Sequence, residues 1–260
     1  MTSSKDLELG EFIELSVEKR FGIIRLNRVH RANSITIEME KNLKKAIEYC
    51  QNNDKIRGLI LTGNGTTFTT GLDLTSIDPS DHAAAKEYEK IAAEIAALIW
   101  NGKPTICAIN GRAMGDGVAY TLCSDYRIAV QDSFFMMPEI TVGIFPGGGN
   151  IVLMTKILGI VWTKRILMFA EKISVDKALE IGLIDQIVDT REELMEEAMK
   201  KARFIFTKNQ PVLNAIKTCS NHFLDKSYKE AYKLEKEALI GWIEAEDKVQ
   251  FIKEFRKRFD

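Results

Sequence analysis

Residues 105–120 read TICAINGRAMGDGVAY. The first half, TICAIN (105–110), is a short apolar run of buried-strand type, and the second half opens a helix through a turn holding three glycines. Glycines at a strand-to-helix junction let backbone N–H groups come close to a ligand. The helix start adds its free N–H groups and the positive end of its dipole. An acid, Asp116, stands between two of those glycines, followed by the bland pair Val118 and Ala119.

A second stretch has the same form. LILTGNGTTFTTGLDL (59–74) runs from a buried strand into glycine-containing backbone. Two N–H groups aimed at one point from two such turns make an oxyanion hole. The plainer alternative is that the glycines only form tight turns. No GxGxxG and no GKS or GKT occurs here, so neither a dinucleotide nor a P-loop fingerprint applies.

Working outward, Ile13, Leu15 and Val17 alternate with polar residues, Gly22 is expected in a turn, and IIRL (23–26) follows as a hairpin partner. Met39, Leu43, Ala46, Ile47 and Cys50 recur at helical spacing, RGLILT (57–62) reads as a buried strand, and a long helix is expected over 82–100. DYRIAV (125–130) is a further strand. PGGGN (146–150) opens a helix through Leu158, Ser174 and Thr190 read as N-caps, Thr190 with Glu193 as a capping box, and Gly182 as a helix stop. From about 191 only helices are expected: 191–206, 211–223, 226–243 and 246–258. Strands alternating with helices, then helices alone, predict an α/β core with a helical C-terminal part. We place the core at 1–200 and the helical region at 201–260.

The chain has 260 residues, 45% of them hydrophobic, enough for a sizeable core. With 36 basic and 37 acidic residues the net charge is −1, which argues against a nucleic-acid surface built on bulk positive charge, although Arg256-Lys257-Arg258 is a local basic patch. Cys50, Cys107, Cys123 and Cys219 form no CxxC pair, and His30, His82 and His222 have no metal-ligand spacing, so no metal is expected. The opening MTSSKDLELGEF holds no signal-type apolar segment, and charged residues interrupt every apolar run of spanning length; a cytoplasmic protein without a membrane role is the expectation.

Six segments, in order, carry a resemblance to the crotonase (enoyl-CoA hydratase/isomerase) superfamily. NRVHRAN (27–33) resembles the family's NRPxxxN, and FTTGLDL (68–74) resembles F-(S/A)-A-G-A-D-(L/I). NGRAMGDG (110–117) is similar to NGxAxGGG, and SDYRIA (124–129) to CDxRIA. Pro138-Glu139, Gly143 and PGGG (146–149) resemble PExxxGxxPxxGG, and ALEIGLID (178–185) resembles A-xx-GLVD. The resemblance implies an α/β spiral of ββα units with a C-terminal helical region that packs trimers, often paired into hexamers. It implies a coenzyme A thioester as substrate and no permanently bound cofactor. The thioester oxygen would be held by the backbone N–H groups of Leu72 and Asp116. CoA would lie along His30, Arg31 and Ala32 and the backbone of Thr70, Gly71 and Leu72. Gly147 would position water or substrate from its backbone.

The departures from that pattern are specific. Family hydratases carry two glutamates. The first position falls here on Ala119 and is lost; the second is kept as Glu139. Hydration needs a held water, a base for it and a proton for C2, work suited to two carboxyl groups. Moving a double bond from position 3 to position 2 needs one base and a stabilised dienolate. The resemblance therefore implies an isomerase with Glu139 as acid/base. The alternatives are a hydratase using Glu139 and Asp116, another crotonase-type reaction (decarboxylation or thioester hydrolysis), and, from another class, a non-catalytic acyl-CoA or RNA binder. Asp116 reads as a helix N-cap, a replacement second acid, or a partner for a polar substrate group. A full charge ~4 Å from an enolate would repel it by about 4 kcal/mol at an effective dielectric near 20. Losing one oxyanion donor costs about 3 kcal/mol. Asp116 must therefore point away, be protonated, or join the chemistry. Thr75 stands where the family often has a CoA-binding lysine, leaving Arg31, Lys253 or Arg256 to meet phosphates; each alone also reads as a solvated basic residue. Leu72, bulkier than the usual Ala, narrows the acyl channel.

Overall fold

A computed structural model describes residues 7–78 and 80–208, and beyond these only Leu213, Asn214, Ile216, Lys217, Ser220, Asn221, Ile240, Ile243, Glu244, Lys253 and Lys257. The expected helices over 211–223, 226–243 and 246–258 fall mostly outside the described residues. The expected boundary at 200 falls within a helix, Arg191–Phe206.

The hairpin forms from β1 (Ile13–Glu18) and β2 (Phe21–Leu26), antiparallel with Ile13 opposite Leu26 and Glu18 opposite Phe21. Its two-residue turn is Lys19-Arg20, both left-handed at φ 45° and 72°, as a tight right-twisting hairpin requires. Gly22, expected in that turn, lies inside β2 instead. A Cβ there would sit 2.4 Å from Cys50 Sγ, so the glycine serves close packing of α1 (Ile37–Asn52) on the strand. Thr36 caps α1, accepting from Met39 N–H at 3.2 Å.

Three ββα units follow in succession. The first is β3 (Gly58–Gly63), β4 (Thr67–Thr69) and α2 (His82–Asn101). The second is β5 (Thr105–Ile109), β6 (Arg112–Met114) and α3 (Asp116–Cys123). The third is β7 (Tyr126–Val130), β8 (Phe134–Met136) and α4 (Asn150–Met168). Then come β9 (Ile173–Ser174), α5 (Val175–Glu180), β10 (Gln186–Val188) and α6 (Arg191–Phe206). In each unit one strand joins the larger sheet and the next joins the smaller. The sheets run β1-β2-β3-β5-β7-β10 and β4-β6-β8-β9. From β2 onward the larger sheet is parallel, with Ile60 beside Ile106 and Ile106 beside Tyr126.

Alternation along β5 divides the core. Ile106 and Ala108 face a cluster with Phe21, Ile60, Ile128, Leu194 and Ala198, beneath α6; Cys107 and Ile109 face the larger cluster with α1 and α2. Cys50, Cys107 and Cys123 are free thiols packed inside.

Junction glycines and asparagines tie the sheets together. A Cβ at Gly111 would stand 1.9 Å from Thr66 O, so β5 can turn into β6 only with glycine there. Asn110 Nδ2 donates to Gly65 O at 2.9 Å, while its Oδ1 accepts from Gly63 N–H at 3.1 Å. The helix signals hold at Ser174, which accepts from Lys177 N–H, and at Thr190, which accepts from Glu193 N–H. Glu193 returns its bond to Asp189 N–H at 3.0 Å, one residue before the expected partner. Gly182 (φ 77°) ends α5, with Leu183 N–H donating to Ala178 O. The helix expected to stop at Leu158 breaks at Gly159 (φ 78°) and resumes to Met168. Beyond α6, Lys217 Nζ donates to Ile99 O at 2.8 Å and Asp125 Oδ2 at 2.6 Å, tying that residue to α2 and to the residue before β7.

Candidate active site

The two glycine turns meet. Ile35 and Leu72 form an isolated parallel bridge, in which Gly71 O accepts from Ile35 N–H and Asp73 N–H donates to Ile35 O, both at 2.8 Å. Backbone groups alternate in extended chain, so this bridge turns the Leu72 N–H away from Ile35. It turns toward α3. A Cβ on Gly71 would stand 3.2 Å from Asp116 N and 3.0 Å from Met114 O. Gly71 (φ 75°) and Gly115 (φ 52°) give both turns backbone shapes and clearances that a side chain would deny.

Asp116 is the first residue of α3, and the cap position is Gly115, which lacks a capping side chain. The N-cap reading of Asp116 is therefore corrected. Its carboxyl turns back into the site. Tyr88, on α2, donates its hydroxyl to Asp116 Oδ2 at 2.5 Å. Burial raises the Asp116 pKa above the ordinary carboxylate range; the Tyr88 hydroxyl, its own N–H and the Leu72 N–H each oppose that rise. The two N–H groups expected to hold a thioester oxygen thus both act on the Asp116 carboxyl.

Glu139 opens a 3-10 turn, Glu139–Val142, after β8 and Pro138. Its Oε1 would lie 3.2 Å from a Cβ on Gly115, placing the carboxyl across that glycine from Asp116. Its Oε2 is buried and has no hydrogen-bond partner among the described residues. Burial pushes Glu139 up to about 8, its own N–H opposing and the Asp116 charge adding to the rise.

A third carboxyl stands behind these. Glu40, on α1, is 0% exposed, and its Oε1 accepts from the Tyr120 hydroxyl of α3 at 2.7 Å. Its Oε2 has no hydrogen-bond partner among the described residues. Burial and the Asp116 charge push Glu40 up to about 8, with the Tyr120 and Tyr88 hydroxyls opposing. Tyr88 and Tyr120 are held well above the ordinary tyrosine range by burial and these carboxyls. Glu40, Tyr88 and Tyr120 are missing from the sequence-based expectations. The available signal was an acid at helical spacing from Leu43 and Ile47, and a tyrosine at the same spacing from Ile91 and Ile95, both on core-facing stripes.

The expected CoA-binding residues come together beside Leu72. His30 and Arg31 lie in a 3-10 turn, Val29–Arg31, exposed, followed by Ala32 and Asn33 in left-handed conformation. Thr70 Oγ1 donates to Ala32 O at 3.4 Å, and Arg28 Nη1 pairs with Asp73 at 2.6 Å. Arg31 Nη2 reaches Thr75 Oγ1 at 3.1 Å, so a cation stands over the position where a lysine is absent. Gly147 lies in the loop before α4, its carbonyl accepting from Asn150 N–H and Nδ2. Lys253 is exposed; Arg256 and His222 lie outside the described residues, and His82 is exposed. Met137 and Met154 are fully buried core. Among the described residues no group of three or more metal-ligating side chains could hold an ion, and no helix is long and apolar enough to cross a membrane.

A fold of paired strands and helices that brings two glycine turns and buried carboxyls to one point is that of the crotonase class. The chain belongs to the enoyl-CoA hydratase/isomerase family, whose model matches residues 17–259. It is 30% identical over 230 residues to a crotonyl-CoA hydratase of Syntrophomonas wolfei, covering 88% of each chain. It is 33% identical over 219 residues to a 1,2-epoxyphenylacetyl-CoA isomerase of Escherichia coli, covering 81% of this chain and 82% of that one. An enoyl-CoA hydratase/isomerase structure from Mycobacterium paratuberculosis superposes with a TM-score of 0.86 at 20% identity, over 94% of this chain and 98% of that one. One from Xanthobacter autotrophicus gives 0.85 at 25% identity, over 95% and 93%. The protein is an enzyme of this family with the α/β crotonase fold.

Proposed function

We propose that this enzyme shifts the double bond of an acyl-CoA from position 3 to position 2. The observation that carries the reading is the meeting of the Leu72 and Asp116 N–H groups at one carboxyl, with Glu139 across Gly115. A carboxylate oxygen there stands in for the enolate oxygen of a bound thioester. CoA lies along His30, Arg31 and Ala32 and the Thr70–Leu72 backbone, with the Arg31 guanidinium near the phosphates. Glu139, ionised, takes a proton from C2. The N–H pair holds the dienolate, and the same acid returns the proton at C4. Gly147 positions substrate from its backbone. When the thioester arrives the Asp116 carboxyl gives up the N–H pair. Beside an enolate it must be neutral, because a full charge at ~4 Å would cost about 4 kcal/mol. Burial shifts Asp116 in that direction, and the charge developing on the enolate shifts it further.

Hydration is the second reading, favoured by the placement of Asp116: two carboxyl groups flank the site, though one hydratase position is Ala119. Incubation with trans-3-hexenoyl-CoA separates the two. A mass-neutral rise in conjugated thioester supports isomerisation; a product heavier by one water supports hydration and makes Asp116 its second acid. The working assembly in this proposal is a trimer or hexamer built through the C-terminal region.

A further inference from the structure

Tyr88 comes to Asp116 from a different helix. Asp81 caps α2, accepting from Ala84 N–H, and Tyr88 lies on the core-facing stripe of that helix with Ile91 and Ile95. Its ring is buried, so its hydroxyl needs a partner inside the protein. That partner is Asp116 Oδ2, at 2.5 Å, across the contact of α2 with α3. Among the described residues Tyr88 is the side chain that donates to the Asp116 carboxyl, and the other two donors, the Leu72 and Asp116 N–H groups, are backbone. The kind of donor matters. A lysine or arginine here would lock Asp116 as an anion, which an enolate at the same point would not tolerate. A phenol can donate to a carboxylate oxygen or to the carbonyl oxygen of a neutral acid.

We propose that Tyr88 is the positioning residue of Asp116: its hydroxyl pins Oδ2 whether the acid is charged or neutral, and keeps the carboxyl in place once a thioester oxygen has taken the N–H pair. With Tyr88 donating to Oδ2, that oxygen is the carbonyl oxygen of the neutral acid, and the proton is on Oδ1. In the free enzyme the carboxyl has Tyr88 and both N–H groups; displaced, it keeps Tyr88 alone. The Tyr88 bond therefore counts for most in the complex. Without it the buried carboxyl falls back on the N–H pair and competes with the substrate oxygen. Tyr88 acts through Asp116 and touches no substrate. The other titratable groups that interact with Asp116 are Glu139 from the turn after β8, Glu40 from α1 and Tyr120 from α3. The kinetic half of the proposal rests on the acyl-CoA reading above; the spectroscopic half does not.

The test follows the protonated-carboxyl band of Asp116 by infrared difference titration of the whole protein, assigned by its loss in Asp116→Asn. Tyr88→Phe removes a donor that favours the charged form. The band should then persist to higher pH, its midpoint moving up by about one pH unit, the size expected for losing a hydrogen bond to a charged group. The band should also move to higher wavenumber, because the carbonyl oxygen has lost its donor. 3-Fluorotyrosine at position 88, a more acidic phenol and a stronger donor, should move midpoint and band the other way. In kinetics, Tyr88→Phe should lower kcat/KM about tenfold in the wild-type background and cost far less in the Asp116→Gly background, where there is no carboxyl to hold. A midpoint and band unmoved by Tyr88→Phe, or an equal kinetic loss in both backgrounds, overturns the proposal. If Tyr88→Phe does not fold, the fluorotyrosine protein, which keeps ring and hydroxyl, decides alone. An absence of trans-3-hexenoyl-CoA turnover in the wild type would refute the proposed function, while the infrared titration would still judge the pin.

Discussion

Glu139 sits where burial and a neighbouring carboxyl make proton transfer workable. A carboxyl held near 8 is a stronger base than an exposed one, provided it is ionised. Its removal should stop chemistry before binding. Glu139→Gln is expected to lower kcat by roughly 10²- to 10⁴-fold, while acyl-CoA affinity by calorimetry stays close to that of the wild type. The pH dependence has a definite sign: kcat/KM for the isomerisation should climb as pH rises through about 8, because Glu139 must shed its proton to act as base. A rate that falls across that range even in Asp116→Asn would assign the base elsewhere. Leu72, Asp116 and Glu139 were singled out in the sequence because each lies within a short segment that resembles a family motif, and the fold brings the three segments together. Glu40, Tyr88 and Tyr120 were not. They come from three helices, and only tertiary packing shows that their polar ends meet.

At the scale of elements, two left-handed glycines shape the site. Gly71→Ala would put a Cβ 3.0 Å from Met114 O and 3.2 Å from Asp116 N, in a backbone conformation that side chains rarely adopt. We expect it to spread the N–H pair and cost about 100-fold in kcat, the loss of one oxyanion donor, with circular dichroism unchanged. Gly111→Ala acts on the frame instead. With Thr66 O only 1.9 Å away, β5 could not turn into β6 undisturbed. The expected loss is about 3 kcal/mol or more of stability, read from urea midpoints. The buried strands β3, β5 and β7 were readable because unbroken apolar runs ended at glycine or polar residues. The smaller sheet was not, since its strands span only two or three residues, too few for a period to register. Gly22 misled for a related reason: glycine marks turns and close packing alike, and here the Cys50 sulfur decides which.

Across the whole molecule, the buried acids give stability a pH signature. Glu40 and Glu139 are both raised from 4.5 to about 8 in the folded state. Between those values the folded chain keeps protons that the unfolded chain releases, so stability should fall as pH rises from about 5 to 8, by on the order of a few kcal/mol. Glu40→Gln should flatten that slope, measured by denaturant midpoints at the two ends of the range. Assembly is tested by sedimentation of the full 29.4 kDa chain, with a trimer or hexamer expected and a monomer contradicting it. The α/β core was foreseen from the order of strands and helices and the ββα plan from the family resemblance alone; the joining of each unit across two sheets emerged only from the pairing. The central claim concerns chemistry, and one measurement reaches it most directly: trans-3-hexenoyl-CoA with the wild type and with Glu139→Gln, followed by absorbance and mass. The account predicts a mass-neutral rise of the conjugated 2-enoyl thioester that Glu139→Gln abolishes. A product heavier by one water, no conversion, or conversion untouched by Glu139→Gln would contradict it.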